Sequence, residues 1–439
     1  MDPQIPKGFR DFLPERMRLR KRLMATMTDV FERFGFEPLD TPCLEYAETL
    51  LGKYGEEGDR LIYKFQDRGE RMVALRYDLT IPLSRVVAMH PEIIKPFKRY
   101  HIAPVWRADK PQKGRFREFY QCDIDIIGAT SMYADGELLV ITYTVLKELG
   151  FKNFIIRINN RKILNAFAVN NGIPEDRLPD FLRSLDKLDK TGLEGVFAEL
   201  TEKGLLSDRL RSSLASLTAE GAAADHEACI ALLDGLVQGH ALGQEGVAEL
   251  RTIHETLKGH DVDPACYRFD FTLARGLDYY TGPIFETIVT EPKIGSITGG
   301  GRYDNLIGLF SKETFPATGT SFGLERLITI MEELGSAEAK HPVTQVLITQ
   351  FDRELMPRNL RIARMLRDAG INTEVYFSPD KLKKQLTYAS HKAIPFVAIL
   401  GPDEDSAGKI TVKNMSNGTQ ETLLQTELAA WLHAQHRNP

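Results

Sequence analysis

Apolar residues return every three or four positions near the start of the chain, as Leu19, Leu23, Met27, Val30, Phe31 and Phe34. With Pro14 in a first-turn position and Gly35 as the stop, this spacing predicts a helix over 14–34. The chain then turns extended from Phe36 to Pro42, and Pro38 and Pro42 suit that stretch to a sheet edge. Residues 61–66 and 72–76 read as strands about a turn at 67–70, and 81–89 as a helix. A period of two takes over from Phe97 to Gly128. One strand there carries Tyr100, Ile102, Pro104 and Trp106. The next carries Phe119, Gln121, Asp123 and Asp125. Pro111 and Gly114 interrupt pairing in the long loop between them. An amphipathic helix over 132–149 and a strand over 154–158 follow. Residues 161–260 are rich in Ala, Leu, Glu and Asp and read as a helical insertion. Alternation returns at 269–274. Thr318–Gly323 then enters a helix whose apolar face is Leu324, Leu327, Ile328, Met331 and Leu334. Beyond a polar linker at 335–340, strands at 343–349, 371–377 and 395–401 alternate with helices at 354–369 and 380–392. A hairpin-like pair (409–414, 419–424) and a last helix (426–436) complete an α/β unit with a mostly parallel sheet.

The totals narrow the class. A chain of 439 residues has room for two or three domains. No apolar run approaches the roughly 20 residues of a membrane span. The N-terminal segment lacks an apolar signal core, so a cytoplasmic location and no membrane are expected. The four cysteines form no C-x-x-C pair, which supports neither a disulfide framework nor a cysteine zinc site. A net charge of −5 argues against nonspecific coating of nucleic acid. The charge is uneven, however: residues 340–439 hold 13 Lys/Arg against 10 Asp/Glu, which is compatible with RNA contact. The hairpin is the sharpest case. From Lys95 to Gln121 it has eight Lys/Arg against Asp109 and Glu118. Such a concentration suits an anionic partner, with arginines for phosphate and a basic loop for a nucleic-acid backbone. A solvated hairpin is the plain alternative.

Other stretches carry candidate chemistry. Asp78 and Thr80 follow a strand end, where they either point into a cleft or cap the helix 81–89. Arg275-Gly276-Leu277-Asp278-Tyr279-Tyr280-Thr281-Gly282 sets an arginine and paired tyrosines between glycines. Gly299-Gly300-Gly301-Arg302-Tyr303-Asp304 allows close backbone approach to a ligand. No P-loop or dinucleotide fingerprint occurs, so a bound nucleotide would be held by arginines and the sheet. Arg326 sits in the first turn of a helix, against the macrodipole, which points to a nearby anion.

The order Trp106-Arg107, then Gly114-Arg115-Phe116-Arg117-Glu118-Phe119, then Gln121-Cys122-Asp123-Ile124-Asp125 resembles motif 2 of the class II aminoacyl-tRNA synthetases, in the form used by the histidyl-tRNA synthetase family. The helix and Pro42-ended strand resemble motif 1. Gly323-Leu324-Glu325-Arg326 resembles motif 3. The peptides at 275–286 and 299–304 resemble two that mark the histidyl family. The resemblance spans the chain. It implies an α+β protein: an antiparallel-sheet catalytic domain (1–160 and 261–334), a helical insertion (161–260) and a C-terminal α/β anticodon-binding domain (341–439). It implies a ligase that uses ATP with Mg²⁺ to turn L-histidine into histidyl-adenylate and passes it to histidine tRNA, and a homodimer formed around 31–50. Carried over by position, Arg107 and Arg275 would act at the α-phosphate and Arg326 at the γ-phosphate, with Asp109 and Arg115 at the adenine and γ-phosphate end. Tyr279, Tyr280 and Tyr303 would line the histidine site, with Asp78, Thr80, Gln121 and Asp125 around the amino and ring groups. Asp125 stands where many bacterial members have Glu. Gln112 would read the tRNA acceptor end. The alternative is a catalytically silent paralogue that regulates histidine biosynthesis. Such proteins typically lack the C-terminal domain and have degraded catalytic positions, whereas this chain keeps Arg107, Arg275 and Arg326.

Overall fold

The helical spacing of Leu19, Leu23, Met27, Val30 and Phe31 buries one face of the helix Pro14–Arg33. Phe31 reaches the sheet beneath, with its ring 5.7 Å from Phe322 and 5.9 Å from Tyr100. A computed structural model of the chain describes residues 2–53, 55–221, 225–274, 279–292, 294–335 and 342–437. The chain divides into two compact units, one of Met1–Phe12 with Leu19–Ala337 and one of Leu13–Arg18 with Glu338–Pro439.

In chain order the strands of the first unit are β1 (Glu37–Pro38), β2 (Leu44–Tyr46), β3 (Lys64–Gln66), β4 (Met72–Leu75), β5 (Phe97–Trp106), β6 (Glu118–Ile127), β7 (Phe154–Asn160), β8 (Tyr267–Phe269), β9 (Pro283–Val289), β10 (Ser296–Arg302) and β11 (Ala317–Gly323). Eight of them form one sheet in the order β1-β5-β6-β11-β10-β9-β7-β8. Its inner ladders are antiparallel, and only the outermost pairs, β1 with β5 and β7 with β8, are parallel. The predicted hairpin supplies two ten-residue strands, β5 and β6. Strands β2, β4 and β3 make a small second sheet.

Helices between 161 and 259 form the insertion, with Arg161–Asn170 and Ala241–Gly259 at its ends. Its apolar side chains share one buried cluster with the sheet and the helix Pro14–Arg33. The strand expected over 269–274 is not there. Strand β8 ends at Phe269, and residues 271–272 turn. Asp270 explains this, because its Oδ1 accepts the Thr272 backbone N–H at 3.0 Å and so competes with a ladder.

The second unit holds β12 (Val346–Ile348), β13 (Thr373–Val375), β14 (Phe396–Ile399), β15 (Lys409–Asn414) and β16 (Gln420–Leu424), in the order β13-β12-β14-β15-β16. Two ladders are parallel and two antiparallel, so the sheet is more evenly mixed than expected. The linker region 336–341 lies outside the described residues.

Arg302, at the end of β10, is locked to Asp135, and both side chains are almost wholly buried. Removing one partner of such a pair leaves a charge stranded, at a cost of about 3–5 kcal/mol. We expect Asp135→Ala to lower the stability of the first unit by about that amount. Urea unfolding followed by circular dichroism measures it, and a loss below about 1 kcal/mol would show the pair to be incidental.

Candidate functional site

Alternation along β6 sends Gln121, Asp123 and Asp125 to one face of the sheet. Their ladder partners are Gly323, Ser321 and Gly319 on β11 and Ala103, His101 and Arg99 on β5. Glycines keep this face open. A Cβ on Gly319 would lie 2.0 Å from Asp125 Oδ1, and one on Gly301 would lie 2.9 Å from the Tyr280 ring. The result is a cavity of about 140 Å³ over the middle of the sheet. Asp78, Thr80, Arg107, Gln121, Asp123, Asp125, Tyr279, Tyr280 and Tyr303 line it. Asp78 has both roles considered from sequence: it lines the cavity, and its Oδ1 accepts the Ile81 N–H at 3.0 Å, starting the helix Thr80–Met89.

Charge in this cavity is dense and buried. Arg99 is fully buried and lies 2.7 Å from Asp125 Oδ2. The Tyr303 hydroxyl donates to Asp125 Oδ1. Burial pushes the Asp125 carboxyl up, and Arg99 and Tyr303 offset part of that. Burial pushes Asp123 up to about 7, with Asp125 and Asp78 adding to the rise and Arg99 and the Ser321 hydroxyl opposing it. The Tyr280 and Tyr303 hydroxyls are raised as well, chiefly by burial, so both stay protonated donors. The three tyrosine rings form an edge-to-face group, with Tyr279 5.0 Å from Tyr280 and 5.9 Å from Tyr303.

A second cavity, about 450 Å³, adjoins the first and shares Arg107, Gln121, Gly299 and Ser321 with it. Its lining adds Asp109, Arg115, Phe116, Phe119, Lys190, Glu325 and Arg326. Arg107 stands at the junction. Its Nε donates to the Tyr77 carbonyl at 3.1 Å, and its guanidinium lies over the Tyr77 and Phe119 rings. That fixes the fork while neither terminal nitrogen has a hydrogen-bond partner among the described residues. Arg115 and Asp109 pair with each other at 2.8 Å. Arg326 donates to the Ser296 carbonyl.

The structure thus brings Arg107, Asp78, Thr80, Gln121, Asp125, Tyr279, Tyr280 and Tyr303 to one cavity and Arg107, Asp109, Arg115 and Arg326 to the other. Gln112 lines neither. It bridges to Arg115 within the β5–β6 loop. Arg275 lies outside the described residues. Sequence reasoning missed three features. Asp123 was visible in the alternation of β6 but was not assigned to the site. Arg99 had no signal beyond its charge. The N-terminal arm was also missed: it runs along the β5–β6 loop, with the Gly8 carbonyl 3.0 Å from the Arg117 N–H and Arg10 3.2 Å above the Phe116 ring. Glu325, paired with Arg20 at 2.5 Å, accepts the Tyr120 N–H at 3.0 Å and fixes β6 from beside the second cavity.

An antiparallel sheet with an arginine between two adjoining cavities, in a sequence with no P-loop, has the architecture expected of a class II aminoacyl-tRNA synthetase. The family model for histidyl-tRNA synthetase matches residues 8–327, and that for the anticodon binding domain matches 345–435. The histidine–tRNA ligase of Wolinella succinogenes is 42% identical over 98% of this chain and 97% of its own length. That of Rhodopirellula baltica is 43% identical over 95% and 94%. The crystal structure of histidyl-tRNA synthetase from Nostoc sp. PCC 7120 superposes with a TM-score of 0.88 at 31% identity, covering 99% of this chain and 100% of that one. The chain belongs to the histidyl-tRNA synthetase family.

The glycine floor gives a direct test. We expect Gly319→Ala to force Asp125 or its strand aside and to destabilise the protein by about 1–3 kcal/mol, as overpacking of a dense interior does. Thermal unfolding measures this. An unchanged midpoint would mean that the floor has slack.

Proposed function

We propose that the smaller cavity holds L-histidine, that the larger one holds ATP, and that Arg107 acts where the two meet. The protein is a histidine–tRNA ligase. It activates histidine with ATP to histidyl-adenylate and pyrophosphate, then transfers the histidyl group to the 3′ end of histidine tRNA. The observation that carries the assignment is the shared wall. A carboxylate entering from the small cavity and a phosphate entering from the large one would face each other beside a fixed guanidinium. Bringing two anions together makes charge neutralisation the main requirement, and a preorganised arginine in a shielded site meets it.

The remaining roles follow the chemistry of each wall. Asp78, Thr80, Gln121 and Asp125 receive the amino and ring groups of histidine, and Tyr279, Tyr280 and Tyr303 enclose the ring. A site with this many oriented polar partners rejects an analogue that leaves them unpaired. Asp109, Arg115 and Arg326 hold the adenine and γ-phosphate end of ATP. Arg275, by its place in the family peptide, joins Arg107 at the α-phosphate. Magnesium belongs with ATP here. The carboxylates lining the ATP cavity, Asp109 and Glu325, are both taken by arginines, and no metal-holding cluster of His, Cys, Asp or Glu occurs among the described residues. Bound ATP would hold Mg²⁺ mainly through its own phosphate oxygens, which would neutralise charge at the phosphates.

Gln112, exposed on its loop, contacts the tRNA acceptor end, and the domain at 341–439 takes the anticodon. The catalytic domain takes 1–160 with 261–334, and the helical insertion takes 161–260. A homodimer forms around 31–50, where Leu44 and Tyr46 are exposed apolar groups on an edge strand. The enzyme is cytoplasmic, and among the described residues no helix is long and apolar enough to cross a membrane.

The test is kinetic. Arg107→Ala should lower the rate of histidine-dependent pyrophosphate exchange by about 10²–10³, mostly in kcat. Arg326→Ala should act mainly on the KM for ATP. Equal and small effects of both on KM alone would remove Arg107 from the reacting centre.

A further inference from the structure

One cation in the wall of the larger cavity comes from outside the sheet. Among the described residues, Lys190 is the one member of the helical insertion that lines either cavity. Other charged groups of that wall are engaged by the chain: Arg115 by Asp109, Glu325 by Arg20, and Arg326 by the Ser296 carbonyl. Lys190 is exposed, and its ammonium has neither an ion pair nor a hydrogen bond among the described residues. Lys187, in the same corner of the insertion, is by contrast paired with Glu199 at 2.8 Å.

The corner that carries Lys190 is fastened to the sheet. The Lys187 carbonyl accepts the N–H groups of both Lys190 and Thr191 at 2.9 Å, which closes one turn. Gly192 then breaks the helix Leu188–Glu202 with φ 69° and ψ 176°, a conformation that glycine alone adopts readily. Asp189, beside Lys190, reaches back to β7, where its Oδ2 lies 2.7 Å from Arg157 Nη1. The Arg157 side chain is only 4% exposed, and it also meets Asp270 at 2.7 Å, the Thr272 hydroxyl at 3.0 Å and Glu286 at 3.5 Å. An Asp189 bridge that is half in solvent contributes little stability by itself. Its effect is geometric, because three other groups already fix the guanidinium it grips. Asn159, also on β7, donates from Nδ2 to the Phe271 and Leu273 carbonyls. One strand therefore holds both the Lys190 corner and the turn that leads, three residues after Thr272, to Arg275.

We infer that Lys190 binds the polyphosphate of ATP, and that Asp189 and Arg157 are positioning residues that hold it at the cavity wall. This rests on the assignment of the larger cavity to ATP. An ammonium has three protons to donate and no means of accepting one, so the anionic part of the nucleotide, not the neutral base, is its partner. Lysine meets a phosphate as a point charge on a flexible stem, and needs a placed backbone more than a fixed fork. The Asp189–Arg157 bridge supplies that placement. The inference makes the helical insertion a contributor to adenylate formation in the absence of tRNA.

The experiment is histidine-dependent pyrophosphate exchange without tRNA, on wild type, Lys190→Ala, Lys190→Arg and Asp189→Asn, with adenosine as a competitor of ATP. In Lys190→Ala, kcat/KM for ATP should fall about tenfold or more, as loss of a hydrogen bond to a charged group does. The histidine KM and the inhibition constant of adenosine, which has no phosphate, should each move less than about twofold. Lys190→Arg keeps the charge and should return kcat/KM for ATP to within about threefold of wild type. Asp189→Asn should lower the same quantity about threefold or more, with the same selectivity, because it loosens the placement of the charge without removing it. Arg157 keeps Asp270 and Glu286 in that variant, so the core is not left with a stranded cation. An unchanged kcat/KM for ATP in Lys190→Ala would overturn the proposal. Equal losses for ATP, histidine and adenosine would do the same, by making the corner a packing element. Unchanged exchange with a raised KM for tRNA in aminoacylation would give Lys190 to the tRNA backbone and end the proposal. All three outcomes leave exchange by the wild type intact. An absence of histidine-dependent exchange in the wild type would instead remove the assignment of the cavity to ATP.

Discussion

Everything in the small cavity depends on one buried cation. Arg99 sits in the sheet with no exposed surface, 2.7 Å from Asp125 and 3.2 Å from the Leu79 carbonyl. Three carboxylates, Asp78, Asp123 and Asp125, line the cavity around it. Without a fixed positive charge such a cluster would hold protons and lose its value as a set of acceptors, because burial and like charge both favour the neutral acid. Arg99 offsets that for Asp125 directly and for Asp123 through space. It also ties β6 to the start of the helix Thr80–Met89, where Asp78 stands. One guanidinium thus sets the protonation of the pocket and the spacing of its walls.

The sheet explains why the chemistry can be so close-packed. Residues from β5, β6, β10 and β11 meet on one face because antiparallel ladders bring Arg99, Asp125, Gly319 and Gly301 into one row. Large side chains occur on β6 and glycines on the facing strands, so the polar groups of one strand occupy the space the others leave. Arg107 belongs to the same logic at the end of β5. Its stem is fixed by Tyr77 and the Phe119 ring, and its fork lies where the two cavities join.

Much of this was legible in the sequence. The helix at 14–33, the β5–β6 hairpin and the α/β texture after 343 follow from periodicity, with Gly35 just past the helix and Gly128 just past β6. Motif order marked Arg107, Gln121, Asp125 and Tyr303 of the smaller cavity and Asp109, Arg115 and Arg326 of the larger. Other features depend on partners far away in the chain. Asp270 reads as part of an alternating strand, but its carboxylate captures Thr272 N–H and pairs with Arg157, ending the ladder early. Asp123 reads as one more strand residue, and only the ladders to Ser321 and His101 place it in the cavity floor. The pairing of Asp109 with Arg115, and of Arg10 with Phe116, needs a loop conformation that no spacing rule encodes.

The central claim is that two adjoining cavities, joined at Arg107, make histidyl-adenylate. The most direct measurement is exchange of labelled pyrophosphate into ATP without tRNA, with each of the twenty amino acids in turn. The account predicts strong exchange with histidine and background with the rest. Background exchange with histidine from folded protein supplied with Mg²⁺, or comparable exchange with another amino acid, would contradict it.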